Sequence, residues 1–115
     1  MSVLSDIKEM LGPDVDEAFN PAIIIHINSA LSKLASIGAC SKSARIGLEG
    51  TETWEALFSD TQDAIPMAKT YIYYMTRLGF DPPQNSFLIE SFKSLADEEY
   101  WRINDFVDRG KGGTS

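Results

Sequence analysis

The side chains best suited to nucleophilic or acid–base chemistry are His26 and Cys40, the only histidine and the only cysteine in the chain. His26 lies at the edge of an apolar helical stripe, so we expect a residue at the core boundary and not a base. Cys40 follows a helix C-terminus, where the helix dipole raises the pKa of a thiol, so we expect it to be unreactive. One cysteine and one histidine form neither an intrachain disulfide nor a zinc site, and a lone thiol suits a reducing compartment.

Carboxylates offer a second route to acid–base chemistry, because the chain contains 17 Asp and Glu residues. Most of them belong to solvated helix faces. Glu99 differs, because it projects into an apolar stripe and must there find a cation or become protonated. We expect a structural ion pair between Glu99 and Arg77, with Lys69 or a neighbouring chain as the alternative source of the cation. A catalytic acid at Glu99, working with His26, is the less favoured hypothesis.

Two features bear on phosphate binding. The tail contains Gly-Lys-Gly-Gly-Thr, but it lacks the glycine spacing, the preceding strand and the following helix of a phosphate-binding loop. Lys33, Lys42 and Arg45 form a weak basic cluster, for which a solvated loop is the default interpretation and phosphate contact the alternative. No aromatic residue is interleaved with them, which argues against a stacking platform for single strands. The net charge of -7 also disfavours a protein whose main task is to bind phosphate backbones.

The length of 115 residues suits one domain with a modest core. We expect a helical domain over residues 1–109 and a flexible glycine-rich tail over residues 110–115. With tyrosine counted as polar, the longest uninterrupted apolar run, residues 22–25, is far shorter than the roughly 20 residues that cross a bilayer, so we expect no membrane segment. The features of a secretory signal are also missing, and we therefore expect synthesis in the cytoplasm.

Apolar residues recur with a helical period along nearly the whole chain. Ser2 can cap a first short helix that ends at Gly12. Asn20 can cap a second helix that has Pro21 in its first turn, where the missing N–H has no cost. Gly38 provides this second helix with a left-handed stop.

Residues 38–52 contain three glycines and show no clear period. They predict a long loop, which is uncommon in a small domain and is usually functional. Thr53 then caps a short helix. A third long helix begins between residues 62 and 66 and runs to residue 79, and its apolar face is broad enough to contact two other elements. The last helix begins near residues 84–86 and runs to about residue 108. The predicted fold is an all-α small bundle of four to five helices.

Three large apolar residues, Ile25, Phe87 and Trp101, lie off the apolar stripes of their helices. On the last helix the stripe itself includes Leu88 and Leu95. Trp101 projects nearly opposite this stripe, among acidic residues, and tryptophan is a residue type that anchors interfaces. We therefore expect Trp101 to contact another subunit or a remote segment of its own chain.

Several motifs occur in an order that is specific in combination. They are Ile-Ile-x-His-Ile-Asn-Ser-Ala-Leu over 23–31, Thr-Trp over 53–54, Lys-Thr-Tyr-Ile-Tyr over 69–73, Asp-Pro-Pro over 81–83, Ser-Phe over 86–87 and Trp-Arg-Ile over 101–103. With these motifs the chain resembles the head-tail connector (adaptor) family of tailed bacteriophages. The resemblance covers most of residues 4–104.

This resemblance implies a structural protein of the virion neck, without catalysis or cofactor. Family members form a ring, commonly of about twelve copies, that docks under the portal protein and receives a stopper or tail protein on its other side, while genome DNA passes through the centre. The expected subunit contacts are then Ile25, Tyr73, Phe87, Trp101 and Arg102. Lys42 and Arg45 are candidates for the DNA lumen or a partner-binding loop, and Arg109 and Lys111 for a tail that docks on the portal. The alternative is a small helical regulatory module that binds one partner protein through the Trp101 face.

Overall fold

The computed structural model describes residues 2–12 and 14–112, which contain five α-helices and two short 3-10 helices. The α-helices are α1 (Val3–Leu11), α2 (Asn20–Ser36), α3 (Trp54–Leu57), α4 (Ile65–Phe80) and α5 (Ser86–Gly112). The 3-10 helices, Glu17–Phe19 and Gln62–Ala64, lead directly into α2 and α4. The described residues contain no β-strand, which confirms the prediction of an all-α bundle.

Most of the predicted helix ends are confirmed. The Ser2 hydroxyl accepts a hydrogen bond from the backbone N–H of Ser5 at 3.1 Å, and α1 ends before Gly12. The Thr53 hydroxyl caps α3. Beyond α2, Gly38 has φ 81°, the left-handed conformation that glycine adopts without strain.

The cap predicted at Asn20 is wrong. Asp16 instead caps the 3-10 helix Glu17–Phe19, and this helix continues into α2, so the backbone of Asn20 is already helical. Its side-chain oxygen is buried and accepts no hydrogen bond within the described residues. Pro21 does lie in the first turn of α2, as expected.

Helix α4 lies at the centre of the bundle and contacts α1, α2 and α5. This confirms the prediction that the broad apolar face of α4 contacts more than one other element. Tyr71 and Tyr74 face α5, where they pack against Tyr100 and Phe92. The opposite side of the buried face packs on α2. Buried side chains of α1, α2, α4, the loop and α5 form one continuous core.

Helix α5 buries a face that is rotated from the one predicted. Ala96, Ile103 and Val107 are buried, whereas Leu88 and Leu95 are 45% and 39% exposed. The reason is that α4 is the principal neighbour of α5, and one helix covers only a limited arc of another. The helix also continues to Gly112, beyond the predicted end near residue 108. Residues 113–115 of the predicted flexible tail lie outside the described residues.

The 38–52 loop is non-helical, as predicted, and is held to α2 at its middle. The side-chain amide of Asn28 donates to the Ile46 carbonyl at 3.0 Å and accepts from the Ile46 N–H at 2.7 Å. Ile46 itself is buried in the core. At Gly50, with φ 65°, an added Cβ would lie 3.0 Å from the Leu4 Cβ and closer still to the end of that side chain, so only glycine fits.

The start of the chain is fixed by residues much later in the sequence. The Val3 N–H donates to the Glu52 carbonyl at 2.9 Å. The indole N–H of buried Trp54 donates to the Asp6 carboxylate at 2.7 Å, and the Lys69 ammonium lies 3.5 Å from the same carboxylate. Helices α1, α3 and α4 therefore meet at one partly buried polar contact.

Candidate partner-binding surfaces

The outward side of α5 carries an exposed tryptophan surrounded by acids. Trp101 is 63% exposed, and its ring makes an edge-on contact with Tyr100 at 5.6 Å between centroids. Helical geometry places five exposed acidic residues around Trp101: Glu90, Asp97, Glu98, Asp105 and Asp108. Trp101 and these five acidic residues together are called the α5 acidic face. At this exposure Trp101 is not covered by α1 or by the 38–52 loop, and contact with another subunit stays a prediction.

Some acids of the α5 acidic face are paired and others are not. Glu90 forms an ion pair with Lys93 at 3.6 Å, and Asp105 pairs with Arg109 at 3.0 Å. Among the described residues, no ion pair includes Asp97, Glu98 or Asp108. The face therefore has carboxylates available to a partner.

The ion pair predicted between Glu99 and Arg77 is wrong. The mostly buried Glu99 carboxylate accepts a hydrogen bond from Arg102 at 2.9 Å, one turn further along α5. Arg77 lies 3.7 Å from the Asp81 carboxylate and donates to the Tyr73 hydroxyl at 3.3 Å. The argument that Glu99 needs a cation is sound, but the nearest cation is on its own helix.

The predicted interface residues do not form one patch. Ile25 is 66% exposed on the side of α2 that faces away from the core, where its neighbours are serines. Phe87 is 75% exposed at the start of α5 and lies near Leu88, whose exposure sequence reasoning did not predict. Tyr73 is only half-buried in α4, next to Tyr74. Arg102 is exposed on α5.

Lys42 and Arg45 both line a hollow between the 38–52 loop and α2. The hollow has a volume of about 310 Å³. We call it the α2 hollow, and its lining residues are Asn28, Ser32, Lys42, Ser43, Ala44 and Arg45. Both cations are exposed, and none of the ion pairs in the described residues includes either of them.

A larger groove of about 440 Å³ lies between α2, α4 and α5, with His26 on its wall. Its other titratable lining residues are Lys93 and Asp97, and Glu99 does not line it. The structure therefore does not bring together the His26 and Glu99 of the catalytic hypothesis. Gly79 lies directly beneath the imidazole, so that a Cβ at this position would overlap the ring.

The lone thiol is only partly accessible. Burial raises the pKa of Cys40 from 9.0 to about 11, and the thiol donates to the Leu31 carbonyl at 3.6 Å. The dipole at the helix C-terminus was expected to raise the pKa of Cys40, and the pKa is indeed raised, but the cause is burial of the thiol. Burial, with smaller contributions from Tyr100 and Asp97, likewise raises the pKa of Tyr71 to about 12. Both groups remain protonated at neutral pH.

Arg109 and Lys111, the candidate portal-docking residues, lie on the last turns of α5 and not in an extended tail.

Leu48, at the tip of the 38–52 loop, is 76% exposed, and sequence reasoning missed it. The sequence feature that could have indicated its exposure is a single leucine between Gly47 and Gly50, in a loop. Within the described residues, no group of three potential ligands could hold a metal ion, and no helix is long and apolar enough to cross a membrane.

Comparison with known proteins identifies the family. A family model described as phage connector protein matches residues 3–110, nearly the whole described chain. No curated protein and no solved structure matches the chain. The chain therefore belongs to the phage connector protein family. Membership indicates a structural role as a connector between phage head and tail, with portal or tail components as partners and a location at the virion neck.

Proposed function

We propose that copies of this chain form a closed ring, of about twelve subunits, that docks on the portal protein and receives a stopper or tail protein on its other side. A ring uses heterologous contacts, in which two different patches of one subunit meet on adjacent copies. The observation that carries the proposal is the exposure of large apolar side chains on two separate faces, with Ile25 on α2 and Trp101 on α5. Tryptophan is among the residue types that contribute most to interfaces, and Trp101 lies on one of the two faces.

The charge of the chain supports the passage of DNA through such a ring. Each copy carries a net charge of -7. A ring of about twelve copies repels a phosphate backbone overall, so DNA can slide without being held. We infer that the role is mechanical and that no side chain performs a reaction.

A third exposed surface is available for the proteins above and below the ring. Phe87 and Leu88 lie at the first turn of α5, next to the turn at residues 81–85 and more than three turns before Trp101, so Phe87 is assigned here to a partner above or below the ring instead of a neighbouring subunit. Arg109 and Lys111 lie at the opposite end of the same helix. The two ends of α5 are about 40 Å apart, because each of its 27 residues adds about 1.5 Å. We propose that one end contacts the portal and the other the stopper or tail protein.

Mass photometry and negative-stain imaging test the proposal. The full chain is measured alone over a range of concentrations and mixed with the portal protein of the same phage. We expect a monomer at low concentration and rings at high concentration or on the portal. Absence of both rings and portal binding would overturn the proposal, and a one-to-one complex that never closes would support the regulatory module instead.

A further inference from the structure

We propose that the α5 acidic face of one copy docks on the α2 hollow of the next copy, with the Trp101 indole in the hollow. This proposal rests on the proposed ring and specifies which surfaces meet in it. It replaces the DNA lumen as the destination of Lys42 and Arg45, because these cations then face carboxylates of a neighbouring subunit.

Charge complementarity is the first argument. Residues 21–50 contain three basic residues and one acidic residue in an otherwise acidic chain. Lys42 and Arg45 are exposed and belong to no ion pair in the described part of the chain. On the other surface, Asp97, Glu98 and Asp108 are exposed and equally available. Complementary charges steer association and fix the relative position of two surfaces.

The same charges exclude the symmetrical alternative. If two copies met through their α5 acidic faces, five carboxylates from each copy would be brought together, three of which have no ion-pair partner in the described residues, and this like-charge contact is unfavourable. A contact between the α5 acidic face and the α2 hollow avoids this repulsion. Helix α4 packs on both α2 and α5, and the two surfaces belong to different elements, so one subunit offers the two distinct patches that a ring contact requires.

The hollow is suited to an indole. Its volume of about 310 Å³ is large enough for one aromatic side chain. Ser32 and Ser43 line it and offer hydroxyl oxygens to the indole N–H, which needs an acceptor when it is buried. Ile25 lies two turns before Ser32 on the same side of α2 and extends the contact with apolar surface.

The loop side of the hollow is held in place before docking. Asn28 makes two hydrogen bonds to the Ile46 backbone, and the Thr61 hydroxyl donates to the Ala39 carbonyl at 2.6 Å. The segment that carries Lys42 and Arg45 is therefore attached on both sides. A pre-ordered surface loses less conformational entropy on binding than a free loop.

Charge reversal and restoration form the first test. Lys42→Glu and Arg45→Glu should each weaken ring assembly by about threefold to tenfold, because an attraction becomes a repulsion. Glu98→Lys should weaken it similarly, and combining Glu98→Lys with Arg45→Glu should restore part of the loss. Lys8→Glu, which makes the same charge change on α1, serves as the matched control and should leave assembly unchanged. Equal effects of all four single variants, or no restoration, would overturn the proposal.

Cross-linking forms the second test and gives the direction of the contact. In a Cys40→Ala background, Ser43→Cys and Glu98→Cys together should give a ladder of oligomers with a short bismaleimide, whereas each variant alone should give monomers. Dimers from Glu98→Cys alone would show a symmetrical contact and overturn the proposal.

The outcomes separate this proposal from the proposed ring. If the unmodified chain forms rings on the portal but the double-cysteine chain gives no ladder, the ring stands and this contact is wrong. If the unmodified chain forms no rings at all, the proposed function itself fails. If Lys42→Glu and Arg45→Glu assemble normally but lose binding to a short DNA duplex, the two cations belong to the lumen and the proposal is overturned.

Discussion

Replacing Gly79 with alanine should destabilise the chain, although alanine is normally preferred in a helix. Gly79 is the second-last residue of α4, and its φ is not positive, so an alanine backbone fits there. An added Cβ would lie 2.5 Å from the His26 Cε1 atom and closer still to Nδ1. Because real Cβ atoms essentially never approach other atoms within 3.0 Å, the imidazole or α4 must move.

Two opposing effects set the magnitude. Alanine favours a helix over glycine by about 0.5–1 kcal/mol. Forcing an extra methyl group into a packed contact costs about 1–3 kcal/mol. We therefore expect Gly79→Ala to lower the free energy of unfolding by about 1 kcal/mol, a drop in Tm of about 3–5 °C for a chain of this size. In a His26→Ala background the overlap is gone, and the same substitution should raise stability by about 0.5–1 kcal/mol.

Urea unfolding of the four chains of this double-mutant cycle, followed by tryptophan fluorescence at a concentration that keeps the chain monomeric, measures the coupling. Gly110→Ala is the matched control, because Gly110 is helical and an added Cβ would meet nothing within 4 Å. It should be neutral or stabilising in both backgrounds. If Gly79→Ala stabilises the chain equally with and without His26, the imidazole does not lie over Gly79 and the reasoning is refuted.

Three further predictions concern other parts of the molecule. Trp101→Ala should lower ring assembly with less than about 1 kcal/mol effect on urea unfolding, whereas Trp54→Ala, at 2% exposure, should cost about 3–5 kcal/mol. Equal effects on folding would show that Trp101 belongs to the core. Asn28→Ala should destabilise by about 2 kcal/mol, because it leaves two backbone groups of a buried residue unpaired, and hydrogen exchange should speed up within residues 38–52. Unchanged exchange there would mean that the loop is held by other contacts. Because folding raises the pKa of Cys40, its contribution to stability is complete below pH 9.0 and is lost as the pH rises through about 11. When Tm is measured against pH, the Cys40→Ala chain should lose less stability between pH 9.0 and about 11 than the unmodified chain. The same dependence of Tm on pH in both chains would contradict this.

Helix positions were predictable because they depend on local signals. A capping serine at Ser2, a left-handed glycine at Gly38 and the turn at residues 81–83 each act through the backbone of a few neighbouring residues. The broad apolar face of α4 also predicted two neighbours, since its period and width are visible in the sequence. The exposed Trp101 followed from the same helical geometry.

The wrong predictions concern positions where several nearby groups compete for the same contact, and only the folded structure shows which group makes it. Glu99 needs a cation, but its pairing with Arg102 instead of Arg77 depends on which side chain reaches it in three dimensions. Asn20 was a reasonable cap, but Asp16 starts the 3-10 helix earlier, which places Asn20 inside the helix. The uncovered edge of α5 at Leu95 could not be predicted, because the sequence shows the width of an apolar stripe but not how much of it a neighbour covers.

The attachment of α1 has a consequence for synthesis on the ribosome. A nine-residue helix is too short to be stable alone, and α1 is held by Glu52 and Trp54, about fifty residues later in the chain. Helix α1 therefore emerges from the exit tunnel well before α3 and gains its partners only after α3 has been translated. Until then the apolar side of α1, with Val3 and Ile7, is open to chaperones and to other nascent chains.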